Sequence, residues 1–146
     1  MKKKILVVGA NYYKGILADL SSQAAATLSK KKLKIDWVKV PGVFEIPVVI
    51  SKNIKKYDGF IALGCVIKGE TPHFEFISKA AINGIMQLSI THQKPIGNGI
   101  ITCLNIKQAL ERSNPNKKDK GGEATKAALS VLGILKNESK WSSSKS

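Results

Sequence analysis

Arginine is nearly absent from this chain: Arg112 is the only one among 24 basic residues, which leaves 23 lysines. Acidic residues number only 10, so the formal charge is +14 over 146 residues. Cysteine is equally scarce. Cys65 and Cys103 both sit in apolar runs, with no CxxC and no His-paired spacing, which excludes a disulfide framework and leaves two buried free thiols as the expectation. With only His73 and His92 beside them, no metal set forms, and no metal is expected. Long hydrophobic runs are missing too. No stretch approaches the roughly 20 apolar residues of a membrane span, and the run after Lys2-Lys3-Lys4 is about six residues, short of the roughly 7–15 of an export signal. A cytoplasmic protein is therefore expected. The phosphate loops GxxxxGK[ST] and GxGxxG are absent, which argues against a nucleotide-fuelled enzyme. Aromatics make up 6% of the chain and the lysine clusters (2–4, 30–34, 52–56 and 117–120) are scattered, whereas nucleic-acid binders concentrate charge on one face and interleave aromatics. Solvated surface is the better reading of those lysines.

The chain does contain a regular alternation. Lys4 to Gly9 reads as a buried strand, and Leu17 to Leu28 as a helix with small alanines for close packing. Leu33 to Val40 alternates like a half-covered strand, and Glu45 to Ile54 forms a short helix that tolerates Pro47 in its first turn. Phe60 to Ile67 is the most apolar strand and hence central. A long helix from His73 to Ile90 follows, then a strand from Ile96 to Leu104 and a short helix capped by Asn105 and running to Arg112. Ser113 to Gly122 reads as a polar loop, and Glu123 to about Glu138 as a last helix. The expected organisation is one domain over residues 1–138 and a frayed Ser/Lys tail over 139–146. Four strands alternating with helices predict an α/β fold, a four-stranded parallel sheet covered on both faces. In such sheets ligands bind beyond the carboxyl ends of the strands, which directs attention to residues 10–13, 41–45, 67–73 and 98–105.

Several residues in those segments can carry chemistry, each against a plainer alternative. Gly69, Glu70 and Thr71 precede a helix start, where backbone N–H groups and the Thr71 hydroxyl suit an anion; the alternative is an ordinary helix capped by Thr71. His73 stands where a neutral imidazole can move protons near neutral pH, or else only bonds a loop carbonyl. Glu45 can accept hydrogen bonds from a polyol or amine beside the flat wall of Phe44, or simply favour a helix start. Tyr12 and Tyr13 can stack on a heterocycle or cover the sheet edge. Arg112 is the sharpest signal. A chain that uses lysine for ordinary charge and places one guanidinium at the end of a helix points to planar, bidentate binding of phosphate or carboxylate.

The segments VVGANYYKGI, VPGVFEIPV, ALGCVIKGETPHFEFIS, PIGNGIIT, LNIKQALERS and DKGGEA, in this order and spacing, resemble the 6,7-dimethyl-8-ribityllumazine synthases over about residues 4–136. The resemblance implies a flavodoxin-like three-layer α/β/α sandwich, assembled as pentamers and in some members as shells of twelve pentamers. It implies condensation of 5-amino-6-(D-ribitylamino)uracil with L-3,4-dihydroxy-2-butanone 4-phosphate, without cofactor or metal, as a step of riboflavin biosynthesis. Carried over residue by residue, Tyr12 falls where a Phe stacks on the pyrimidine, and Glu45, with Val43 and Phe44 beside it, falls at the ribityl hydroxyls. Cys65, Val66 and Ile67 fall at the pyrimidine site and Gly69, Glu70 and Thr71 at the phosphate. His73 matches the acid/base, Arg112 the phosphate-binding arginine from a neighbouring subunit, and Lys120 a nearby lysine. Three positions depart from the pattern: Asn11 where many members carry Arg, Tyr12 in place of Phe, and Asn98 where some have Phe. The implied partners are small-molecule substrates and further copies of the chain, with neither nucleic acid nor membrane.

Overall fold

The inner strands Lys3–Ala10 and Gly59–Ile67 form where apolar residues run almost without interruption, and the outer strand Leu33–Val40 where apolar and polar residues alternate. The computed structural model of the chain describes residues 2–69, 72–114 and 116–136. In chain order the elements are β1 (Lys3–Ala10), α1 (Lys14–Leu28), β2 (Leu33–Val40), a 3-10 turn (Val43–Glu45), α2 (Ile46–Lys52), β3 (Gly59–Ile67), α3 (Phe74–His92), β4 (Ile96–Cys103), α4 (Ile106–Ser113) and α5 (Lys120–Lys136). The sheet is parallel throughout, in the order β2-β1-β3-β4. β3 is buried at all nine positions, as its unbroken apolar sequence requires of an inner strand covered on both faces.

Strand alternation sorts the core into two layers. Ile61, Leu63, Cys65 and Ile67 of β3 face α1, α4 and α5, together with Leu20, Ala24, Ala109 and Ala128. Phe60, Ala62 and Val66 face the opposite way, against Ile46 and Ile50 of α2 and Ala81 and Ile85 of α3. The result is the expected three-layer α/β/α sandwich. Among the described residues no helix is long and apolar enough to cross a membrane.

Two departures from the sequence reading bear on the site. The turn after Pro41-Gly42 is a separate 3-10 turn, and the following helix starts at Ile46, with Pro47 in its first turn, where a missing N–H costs nothing. Gly64 permits this turn to lie against the sheet: a Cβ there would stand 2.7 Å from Val43 Cγ1 and 3.0 Å from the Ala10 Cβ. The second departure is the start of α5, which lies at Lys120, inside the stretch that reads as a loop. Two glycines argue against a helix by propensity. Here Asp119 starts it: its backbone carbonyl accepts from Glu123 N–H at 2.9 Å and its Oδ1 accepts from Gly122 N–H at 3.3 Å. Buried Gln23 of α1 then ties the segment down, its Oε1 accepting from Gly121 N–H at 2.8 Å and its Nε2 donating to the Ser113 carbonyl. The expected tail over 139–146 lies outside the described residues.

Candidate active site

A cleft of about 470 Å³ opens beyond the carboxyl ends of β1 and β3, where a parallel sheet places its ligands. Its floor is Cys65 and Val66, near the carboxyl end of β3; Tyr12 and Tyr13 form one wall, the 42–45 turn another, and Pro72, His73 and Ile77 the entry to α3. Tyr12 is 68% and Phe44 60% exposed, so two rings stand largely in solvent. Tyr13 braces Tyr12 edge to face, with ring centroids 4.9 Å apart and an interplanar angle of 80°. Flat, exposed and held, the Tyr12 ring suits a planar heterocycle.

Glu45 lines the same cleft while serving the turn: its Oε1 accepts from Gly42 N–H at 2.9 Å. The structural role at the start of the turn is thus observed, and it uses one carboxylate oxygen. His73 is exposed and precedes α3, and among the described residues its imidazole makes no hydrogen bond to a loop carbonyl or any other group. Ile67 is 1% exposed and belongs to the core rather than to the cleft wall. Gly69 lies in the exposed loop beyond β3, and a Cβ there would come within 4.0 Å of the Leu104 carbonyl oxygen. Glu70 and Thr71 lie outside the described residues.

The remaining expected site residues gather elsewhere. Asn98, Arg112 and Lys120 line a second pocket of about 410 Å³ at the outer edge of β4, with Thr102 and Lys118. Its lining holds three cations and no carboxylate, an electropositive cradle for an anion. Lys118 had no individual signal, being one of a run of lysines, and only the loop between α4 and α5 brings it to Arg112. Arg112 closes α4, and its Nη1 donates to the Thr102 carbonyl at 2.6 Å and to Cys103 Sγ at 3.8 Å. Lys120 is shared, since its Nζ lies 3.8 Å from Glu123 Oε1. The two pockets have no lining residue in common.

Between them stand the thiols. Cys65 and Cys103 lie on neighbouring strands two residues out of register and point into the same core layer. The Cys65 S–H donates to the Cys103 sulfur, and this bond, with the nearby Arg112 guanidinium, lowers the Cys103 pKa against the opposing effect of burial. Cys65 shifts the other way, first because its proton is held in that bond and then because burial disfavours a thiolate. Among the described residues no cluster of three or more His, Cys, Asp or Glu is arranged to hold a metal ion.

A cleft with a flat ring wall, an imidazole and a carboxylate, and a separate pocket of three cations, together have the chemistry for acid/base work on a heterocycle and for holding an anion. Comparison with known proteins gives the same direction. The sequence profile of the 6,7-dimethyl-8-ribityllumazine synthase family matches residues 2–136. A 6,7-dimethyl-8-ribityllumazine synthase of Bartonella henselae is 45% identical over 139 residues, covering 92% of this chain and 90% of the relative. One of Novosphingobium aromaticivorans is 41% identical over 141 residues, covering 95% and 99%.

Proposed function

Because the chain belongs to the 6,7-dimethyl-8-ribityllumazine synthase family, we propose that it condenses 5-amino-6-(D-ribitylamino)uracil with L-3,4-dihydroxy-2-butanone 4-phosphate to 6,7-dimethyl-8-ribityllumazine, phosphate and water. The observation that carries the reading is the cleft itself, in which Tyr12, Phe44, Glu45 and His73 meet at the carboxyl end of the sheet.

The pyrimidine stacks on Tyr12 and meets the backbone of Cys65, Val66 and Ile67, while its ribityl hydroxyls reach Glu45 beside Val43 and Phe44. The ketone phosphate takes the loop of Gly69, Glu70 and Thr71 on one side and Arg112 with Lys120 on the other. The pyrimidine's free amine attacks the ketone carbonyl, and loss of water leaves an imine. A proton then leaves the carbon next to the imine, phosphate departs, and the resulting enol rearranges to a second carbonyl. Attack by the ribityl-bearing nitrogen on that carbonyl, with loss of a second water, closes the ring. His73 moves the protons, as an imidazole on the cleft rim that can both give and take one. Holding the two substrates in line supplies much of the acceleration, since no group beyond general acid/base is required.

The two-pocket geometry favours an oligomer in which one subunit's Arg112 pocket, with Asn98, completes its neighbour's cleft. Exposed apolar side chains support it: Phe76 is 77%, Ile90 65% and Met86 57% exposed on α3, and Ile106 and Leu110 are about half exposed on α4. A homopentamer, alone or as the unit of a 60-subunit shell, is the assembly we assign. The free thiols of Cys65 and Cys103 suit the reducing cytoplasm. The test is turnover. Purified protein mixed with both substrates should generate the fluorescent lumazine well above the uncatalysed rate, and a rate equal to background would contradict the reading.

A further inference from the structure

Arg112 reaches its pocket on a long, flexible side chain, yet its guanidinium is held from behind. Nη1 donates to two acceptors on consecutive residues of β4, the Thr102 carbonyl at 2.6 Å and Cys103 Sγ at 3.8 Å. Among the described residues its Nε and Nη2 have no hydrogen-bond partner, so those donors remain for a ligand in the pocket with Lys118 and Lys120. The Thr102 carbonyl sets one direction for Nη1. Two acceptors fix a plane, and for a planar fork the plane decides whether two parallel bonds to a phosphate can form.

The second acceptor is itself fixed. Cys103 is 1% exposed in the layer between β4 and α4, and Cys65 of the neighbouring strand belongs to the same buried cluster. We propose that Cys103 is a positioning residue for Arg112, holding the guanidinium in the plane that meets the substrate phosphate, with Cys65 packed in the same buried layer on the cleft side. The inference rests on the reading of Arg112 as the phosphate-binding residue. It also places a continuous chain of contacts, Cys65 to Cys103 to Arg112, between the cleft a subunit keeps and the pocket it offers a neighbour.

The test is steady-state kinetics with each substrate varied in turn, on the full assembled protein. Cys103→Val fills the position with a somewhat larger apolar side chain and removes the acceptor, Cys103→Ala removes it without risk of a clash, and Cys103→Ser restores an acceptor. Freeing one side chain that must then be ordered on binding should raise KM for the ketone phosphate about three- to ten-fold in Cys103→Val and Cys103→Ala. KM for the pyrimidine and kcat should stay near wild type, and Cys103→Ser should fall between wild type and Cys103→Val. Inhibition by inorganic phosphate should weaken in parallel. An unchanged ketone-phosphate KM in whichever of Cys103→Val and Cys103→Ala folds, or an equal rise for both substrates, would overturn the proposal. Arg112→Lys separates the two layers of the argument. If it leaves the ketone-phosphate KM unmoved, the phosphate reading and the positioning role fall together; if it raises that KM while the Cys103 variants do not, only the positioning role falls.

Discussion

His73 and the Cys65–Cys103 pair are the residues whose chemistry is most open to direct measurement. If His73 moves the protons, His73→Asn keeps the size and polarity of the ring position but removes the titratable nitrogen, and kcat should fall about 100-fold or more with smaller changes in either KM. Single-turnover rates of product fluorescence would show it. The thiol pair makes a different prediction, on stability. The Cys65 hydrogen bond and Arg112 lower the Cys103 pKa, so the stability Cys103 contributes is fully present above the ordinary thiol value of about 8.5 and is lost as pH falls through its own lower value. Cys65, whose pKa is raised, contributes stability that is fully present below the ordinary value and lost only as pH rises beyond it. Urea unfolding of wild type against Cys103→Ser, with thiols kept reduced, should therefore show a wild-type advantage that shrinks as pH is lowered from about 8.5 toward about 6. A difference independent of pH would rule out a lowered Cys103. Arg112 and His73 were legible in the sequence because each is rare there and stands at an element's end. The Cys103 contact was not, since nothing in an apolar strand says which side chain on the next helix will reach back to it.

At the scale of elements, the inner strands were legible because burial on both faces leaves a nearly unbroken apolar run in the sequence, and β2 because its half-covered face leaves an alternation. The boundaries of the last helix were not. Gly121 and Gly122 read as loop because propensity disfavours them in helices, yet α5 starts before them, where Asp119 caps it and Gln23 receives Gly121. That buried glutamine is a tertiary contact spanning 98 residues, invisible to any local window. Gln23→Leu keeps the side chain's bulk but strands Gly121 N–H and the Ser113 carbonyl, and urea unfolding should show a loss of about 1–3 kcal/mol. The same substitution should loosen the segment carrying Lys118 and Lys120 and so raise the ketone-phosphate KM. A variant as stable as wild type would mean that Gln23 is not what anchors that helix start. Gly64 is a parallel case on the other face, since it reads as an apolar-strand residue and only the packing shows that it makes room for Val43 and thereby sets the 42–45 turn against the cleft.

At the scale of the whole molecule, the charge of +14 divides into two parts. Twenty-three lysines favour anionic substrates generally, whereas Arg112, with Lys118 and Lys120, lines a pocket beside β4 that combines three cations with no carboxylate. The residues expected at one site occupy two places in a single chain, and the separation follows from the sheet: the cleft stands over β1 and β3, while the cradle lies on the outer edge of β4. A sequence shows which residue types are present but not that two half-sites of one chain serve different partners. The central claim is that a neighbour's Arg112 completes each cleft, and subunit complementation tests it most directly. His73→Ala and Arg112→Ala should each be nearly inactive alone. Dissociated, mixed in equal amounts and reassembled, they should recover about a quarter of wild-type turnover, because random assembly in a symmetric ring pairs a wild-type His73 with a neighbour's wild-type Arg112 at that frequency. Activity in the mixed assembly no higher than that of the parent variants would contradict the claim.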